Sequence, residues 1–163
     1  MIYEVEGDIL MSRADVIAQG VSVSDPMTSG LARKLQEKFP SMREQFIEWC
    51  EETNPEPGEI WLWPGDGKTR VLNLIVGEAA DTELGRASRP DKIAVHRAFR
   101  AVNKLVVDER LSSIAMPKIG SGAGGIDWLE VRGMMHSQLG ELLIPLFVYV
   151  TPLDGMLASE PGM

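Results

Sequence analysis

Short apolar runs alternate along the chain with longer stretches of helical periodicity. Ile2 to Val5 alternates apolar and polar positions and predicts a strand that turns at Gly7-Asp8. Ala14 to Val21 (ADVIAQGV) is largely apolar and predicts a second, mostly buried strand. Ser22 to Gly30, built from Ser, Asp, Pro, Thr and Gly, predicts a loop. Leu31, Leu35 and Phe39 then recur at helical spacing until Pro40 closes the helix. Ser41 is placed to cap another helix through Glu51, with Phe46, Trp49 and Cys50 near one face. After the turn Asn54-Pro-Glu-Pro-Gly, Glu59 to Trp63 alternates as a strand, and Gly65-Asp-Gly67 invites a hairpin into Arg70 to Val76. Trp61 and Trp63 share one face of that strand, and the reading is a core face.

Gly77 to Pro90 is polar, irregular and long enough to be functional. Asp91 to Val107 predicts an amphipathic helix with Ala94, Val95, Ala98, Val102 and Leu105 inside. A strand from Leu111 to Met116, a helix from Asp127 to about Leu139 and a last strand from Leu143 to Val150 follow. Met156 to Met163 reads as a loose end. There is no internal repeat and no sign of a second domain. The alternation predicts an α/β layered fold around a mixed or mostly parallel sheet, with residues 1–152 as the domain and 153–163 as a flexible tail.

Composition narrows what such a fold can do. The 163 residues are 44% hydrophobic and 25% charged, the balance of a globular protein with a real core. No apolar run approaches the ~20 residues that cross a bilayer, and Met1-Ile-Tyr-Glu-Val-Glu lacks the basic and apolar regions of a signal peptide. One cysteine, Cys50, allows no internal disulfide and points to a reducing cytoplasm. His96 and His136 fall within helices without partners at metal spacing, so no metal site is expected. The net charge of −8 argues against binding along nucleic-acid grooves. It leaves open a small anion held by backbone dipoles.

The segment that offers such dipoles is Lys118-Ile-Gly-Ser-Gly-Ala-Gly-Gly125. Pro117 ends the strand before it, and Asp127 can cap the helix after it. A strand, a glycine-rich turn and a helix together present a row of backbone N–H groups, and a pyrophosphate can reach them only where no Cβ intervenes.

Three segments taken together resemble the macrodomain family. Glu6-Gly7-Asp8-Ile9-Leu10 resembles its Gly-Asp-Ile turn. Ala14 to Val21, followed by Met27-Thr-Ser-Gly30-Leu-Ala, is similar to its second strand and first glycine loop. Ile114-Ala-Met-Pro-Lys-Ile-Gly-Ser-Gly122 resembles its phosphate loop. The likeness runs to Val150 and implies a three-layer α/β/α fold with a six-stranded, mostly parallel mixed sheet. It implies ADP-ribose or an ADP-ribosylated macromolecule as partner, with no other cofactor. By that resemblance, Asp8 accepts from the adenine amino group beside Ile9. By it the pyrophosphate lies between Ser29, Gly30 and Leu31 on one side and Gly120, Ser121, Gly122, Ala123, Gly124 and Gly125 on the other. Gln19, Met27, Thr28, Lys118 and Ile119 are further ligand-binding positions, and the distal ribose lies toward Gly77 to Arg86. Asp8 also reads as an ordinary turn residue, Ser29 as a helix cap, and Lys118 as a solvated lysine.

The details are similar to the branch that includes the terminal ADP-ribose protein glycohydrolase and macrodomains that remove ADP-ribose from DNA. Members of that branch carry a nucleophilic lysine after the fourth strand, whereas Gly77 to Asp91 contains none. Gly124 stands where the glycohydrolase has its partner aspartate, and Gln19 and Ser22 stand where other relatives have two asparagines. Lysine-type covalent catalysis is therefore unsupported. If the chain is a hydrolase, Asp81 or Glu83 can act as base for water, with Ser22 positioning it. A reader without turnover, and a protein that sequesters or hydrolyses a nucleotide signal, are the alternatives.

Overall fold

A computed structural model describes residues 1–65, 67–79, 88–122 and 124–163. The strands are β1 (Ile2–Gly7), β2 (Val16–Ser22), β3 (Ile60–Trp63), β4 (Arg70–Gly77), β5 (Ile114–Pro117) and β6 (Leu146–Pro152). The helices are α1 (Gly30–Lys38), α2 (Pro40–Thr53), α3 (Lys92–Asp108) and α4 (Trp128–Leu139). The strands form one sheet in the order β1-β6-β5-β2-β4-β3. Only β3 runs antiparallel, paired with β4 across the expected hairpin.

Two-sided burial explains the apolar strands. On β2, Val16 and Ala18 face one core and Ile17 and Val21 the other, and β4 alternates Leu72 and Leu74 against Val71 and Ile75 in the same way. Ala94, Val95, Ala98, Phe99, Val102 and Val106 of α3 join Val131, Met135 and Leu139 of α4 in the first core. Leu35 of α1 and Met42, Phe46 and Cys50 of α2 close the second. The result is a three-layer α/β/α fold. Trp63 is buried, as expected, and Trp61 is half-buried, stacked on Trp49 at 6.0 Å between ring centroids.

Several boundaries differ from the reading of the pattern, each for a local reason. Pro40 both ends α1 and begins α2 at its first helical position, where its missing N–H is harmless, so Ser41 is not the cap. Leu105 is only half-buried, and Phe99 and Val106 complete the inner face of α3 instead. The last strand starts at Leu146, leaving Leu143 92% exposed. The end of the chain departs most. Residues 153–163, expected as a flexible tail, turn back across the sheet edge. Leu153 donates to the Gly7 carbonyl (3.0 Å), Met156 accepts from the Asp8 amide (2.7 Å), and Ala158 and Glu160 are buried. Composition alone concealed this, because the anchors are distant in sequence.

One ion pair ties three strands together at their amino ends. Asp15, just before β2, accepts from Arg70 at the start of β4 at 2.7 Å and from the Ser112 amide, just before β5, at 3.1 Å. Burial pushes the Asp15 carboxyl up, but Arg70 and Ser112 outweigh it and hold the group below the usual aspartate range. A carboxylate held low stabilises the fold above its unfolded pKa, and this contribution is lost as pH falls through the folded value. Asp15→Asn is therefore expected to cost about 1–2 kcal/mol near neutral pH. The gap to wild type should narrow below about pH 3.9, which urea unfolding in neutral and acidic buffer will read.

Candidate functional site

The glycine-rich loop folds on itself with alternate amides. Ile119 donates to Pro117 (2.8 Å), Ser121 to Lys118 (3.2 Å), Gly125 to Gly122 (2.8 Å) and Ile126 to Gly120 (2.8 Å). The buried Ile119 side chain pins the loop to the core. Among the described residues, no acceptor answers the N–H groups of Gly120 and Gly122. The sequence motif expects such N–H groups to serve as donors to an anion. Gly120 and Gly124 have φ of +77° and +74°. A Cβ on Gly125 would lie 2.4 Å from the Gly120 carbonyl oxygen, so the turn closes only without one. Asp127 caps α4 through the Leu129 amide at 3.2 Å.

The start of α1 faces this loop. Ser29 occupies the N-cap position but its side chain makes no capping hydrogen bond, so the reading of Ser29 as a side-chain cap does not hold. Its carbonyl accepts from Arg33 at 3.2 Å, while the Gly30, Leu31 and Ala32 amides have no acceptor among the described residues. No acidic side chain sits in that first turn to compete with an anion.

Between the two segments runs a groove. Its wider part, about 450 Å³, is lined by Asp8, Ile9, Leu31, Lys118, Ser121 and Tyr149 among others. A smaller part, about 260 Å³, continues past Gln19, Gly20, Asp25, Ser29 and Gly120. Leu31, Pro117, Lys118 and Gly122 border both.

Polar side chains at the two ends differ in character. At the wide end, Asp8 accepts from the Leu10 amide through Oδ1 and from the Gly155 amide through Oδ2, both at 3.0 Å. Each oxygen keeps a lone pair for another donor. At the narrow end, Gln19 is 1% exposed and its Nε2 donates to Asn73 at 2.8 Å. Its Oε1 is buried without a partner among the described residues. A buried amide carbonyl left unpaired is costly and calls for a donor from outside the chain. Lys118 is half-buried, with Nζ 6.0 Å from the Trp128 ring centroid rather than free in solvent.

The structure does not gather every expected residue. Met27 adopts a positive φ of 55° that turns its side chain fully into the second core. Neither Met27 nor the exposed Thr28 lines the groove, and Gly124 and Gly125 shape the loop without lining it. Ser22 spends its hydroxyl and amide on Asp25 Oδ2, at 3.2 and 3.0 Å, closing the turn after β2. The hydroxyl proton is thereby committed to Asp25, and Ser22 lines neither part of the groove. Asp81, Glu83 and Ala123 lie outside the described residues. Among the described residues, no group of three or more His, Cys, Asp or Glu side chains could hold a metal. Sequence reading missed Asn73, Lys34, Tyr149 and Asp154. The one available signal was Asn73, a polar residue inside an otherwise apolar strand.

Comparison with known proteins completes the description. The Macro domain family model matches residues 24–135. A DNA ADP-ribosyl transferase–DNA ADP-ribosyl glycohydrolase fusion protein of Thermosipho africanus is 25% identical over 162 residues, covering 92% of this chain and 42% of the relative. A DNA ADP-ribosyl glycohydrolase of Thermus aquaticus is 23% identical, covering 87% of this chain and 39% of the relative. The chain thus spans less than half the length of these curated relatives. The solved macrodomain of Thermus aquaticus DarG superposes with a TM-score of 0.81 at 22% identity, over 92% of this chain and 98% of that one. Thermosipho africanus DarTG in complex with ADP-ribose gives 0.80 at 24% identity, over 96% and 43%. At these identities the structures show a shared fold.

The loop geometry makes its own prediction. Gly125→Ala should destabilise by about 1–3 kcal/mol through overpacking against the Gly120 carbonyl. Gly133→Ala, on α4 with open space around it, should stabilise by about 0.5–1 kcal/mol. Urea midpoints of the two variants will show the contrast.

Proposed function

We infer that this chain, which belongs to the Macro domain family, binds an ADP-ribosyl group along the groove between the glycine loop and α1. The observation that carries this reading is the pair of unanswered amides at Gly120 and Gly122, opposite the uncapped first turn of α1. Two sets of free N–H groups across one groove suit a diphosphate, whose charge is spread over oxygens on both sides. The base then lies in the wider part beside Asp8 and Ile9, and the second ribose in the smaller part beside Gln19. The orphaned Gln19 Oε1 accepts from a ribose hydroxyl there, which resolves its missing hydrogen bond.

The relatives named for action on ADP-ribosylated DNA make DNA the macromolecule of choice. A net charge of −8 then favours a single modified nucleotide over a long stretch of duplex. The proposed chemistry calls for no metal or resident cofactor, and a reducing cytoplasm fits the single buried cysteine. Retention of the ADP-ribosyl group is the reading the residues favour, since no lysine lies between Gly77 and Asp91 and Gly124 carries no carboxylate. Hydrolysis is the second reading. In it, water attacks the anomeric carbon as the bond from that carbon to the acceptor breaks, and Asp81 or Glu83 takes the water's proton. The acceptor leaves with the bonding pair and is protonated from solvent, and loop amides hold the diphosphate.

Calorimetry with ADP-ribose tests the site, and the absence of heat would end this reading. Gly122 has open space for a side chain in the free protein. Gly122→Glu is therefore expected to change stability by no more than about 0.5 kcal/mol while placing a like charge in the groove. Binding should fall at least about a hundredfold, as for loss of ~3 kcal/mol. Free ADP-ribose released from ADP-ribosylated DNA would mark turnover, and its loss in Asp81→Ala with Glu83→Ala would identify the base.

A further inference from the structure

Glu160 is 9% exposed, and its carboxylate is fully engaged. Oε2 accepts from the Ser12 hydroxyl at 2.6 Å and from the Tyr149 hydroxyl at 2.9 Å, and Oε1 accepts from the Arg13 amide at 2.9 Å. The donors come from β6 and from the link between β1 and β2, while Glu160 sits near the chain end. Burial, and then the Glu160 carboxylate beside it, push the Tyr149 phenol up, so it remains a donor to the carboxylate.

What this anchor holds is the segment beside Asp8. Ala158 packs on Gly7, where an added Cβ would lie 2.8 Å from the Ala158 Cβ. Met156 accepts from the Asp8 amide, Gly155 donates to Asp8 Oδ2, and Leu153 donates to the Gly7 carbonyl. Pro152 and Asp154 form part of the wall of the wider groove, and Asp154 pairs with Lys34 at 3.2 Å across its mouth. That pair is exposed on both sides and adds little. Beyond β6, Ala158 and Glu160 are the buried residues. A segment with so little apolar contact is held by its hydrogen bonds, and the charged, buried one at Glu160 is the strongest kind available.

We propose that Glu160 is a positioning residue for base recognition, latching residues 153–160 so that the Gly155 and Met156 backbone fixes the Asp8 carboxylate toward the ligand's purine. The proposal rests on the reading that the base lies beside Asp8. A fixed carboxylate accepts from an exocyclic amino group and repels the carbonyl oxygen of a hypoxanthine. The latch therefore sets selectivity between the two bases as well as local order.

The test compares calorimetric affinities for ADP-ribose and its inosine counterpart. Wild type is expected to prefer ADP-ribose, and Glu160→Ala to reduce that preference about tenfold, the equivalent of one charge-assisted hydrogen bond. Glu160→Gln, which keeps the Arg13 hydrogen bond and the side chain's reach but not the charge, should restore it in part. Should Glu160→Ala not fold, Tyr149→Phe and Ser12→Ala each remove one donor and should erode the ratio by smaller steps. An undiminished ratio in the folded variants, or no preference in wild type, overturns the proposal while leaving the site intact. Failure of wild type to bind either compound instead overturns the underlying functional reading.

Discussion

The rest of this molecule depends on a sheet whose strands, all but one, run parallel, with the central ones buried on both faces. β1, β6, β5, β2 and β4 share one direction, so each delivers its carboxyl end to the same edge of the sheet. Asp8 follows β1, the Ser22–Asp25 turn follows β2, Glu78 follows β4, the glycine loop follows β5, and the Asp154 segment follows β6. Apolar packing above and below forbids polar chemistry within the layers, and the loops at that edge are where it collects. The groove lies there because the core excludes it everywhere else.

That edge handles charge through the backbone. A protein with an excess of acidic side chains can still hold an anion if the local donors are fixed amides, because these act at contact distance while exposed charges more than a Debye length away are screened. The glycine loop supplies such amides by folding the Ile119, Ser121, Gly125 and Ile126 N–H groups inward, while those of Gly120 and Gly122 meet no acceptor among the described residues. The first turn of α1 supplies more by having no side-chain cap. Lys118 adds a positive charge at the rim, but its contact with Trp128 shows that it also serves the packing of α4.

How much of this was legible follows the range of the forces involved. β2, α3 and the glycine loop depend on neighbours a few residues away, and their patterns stand in the sequence. Met27 was misplaced because a single positive φ reverses its side chain, and an L-residue gives no warning of that conformation. The latch of the chain end was not legible at all. Glu160 and Ser12 stand 148 residues apart, and nothing in a stretch with two glycines and a proline announces a docked segment. The Gln19–Asn73 pair lay between these cases. Two polar residues in apolar strands are visible, but their adjacency depends on the β2–β4 register.

Holding a ligand and turning it over make different demands on this groove. The residues that would hold the diphosphate are mostly backbone, and backbone geometry survives as long as the glycines and the core do. Chemistry at the anomeric carbon needs particular side chains at the narrow end, and those are free to change without disturbing the sheet. Here that end offers a buried amide carbonyl at Gln19 and an Asp25 already committed to the Ser22 and Met27 amides. An amide carbonyl is too weak a base to take a proton from water but can accept from a sugar hydroxyl, and the Asp25 carboxylate is held in place by its own turn. The described side chains at that end are suited to holding a ligand.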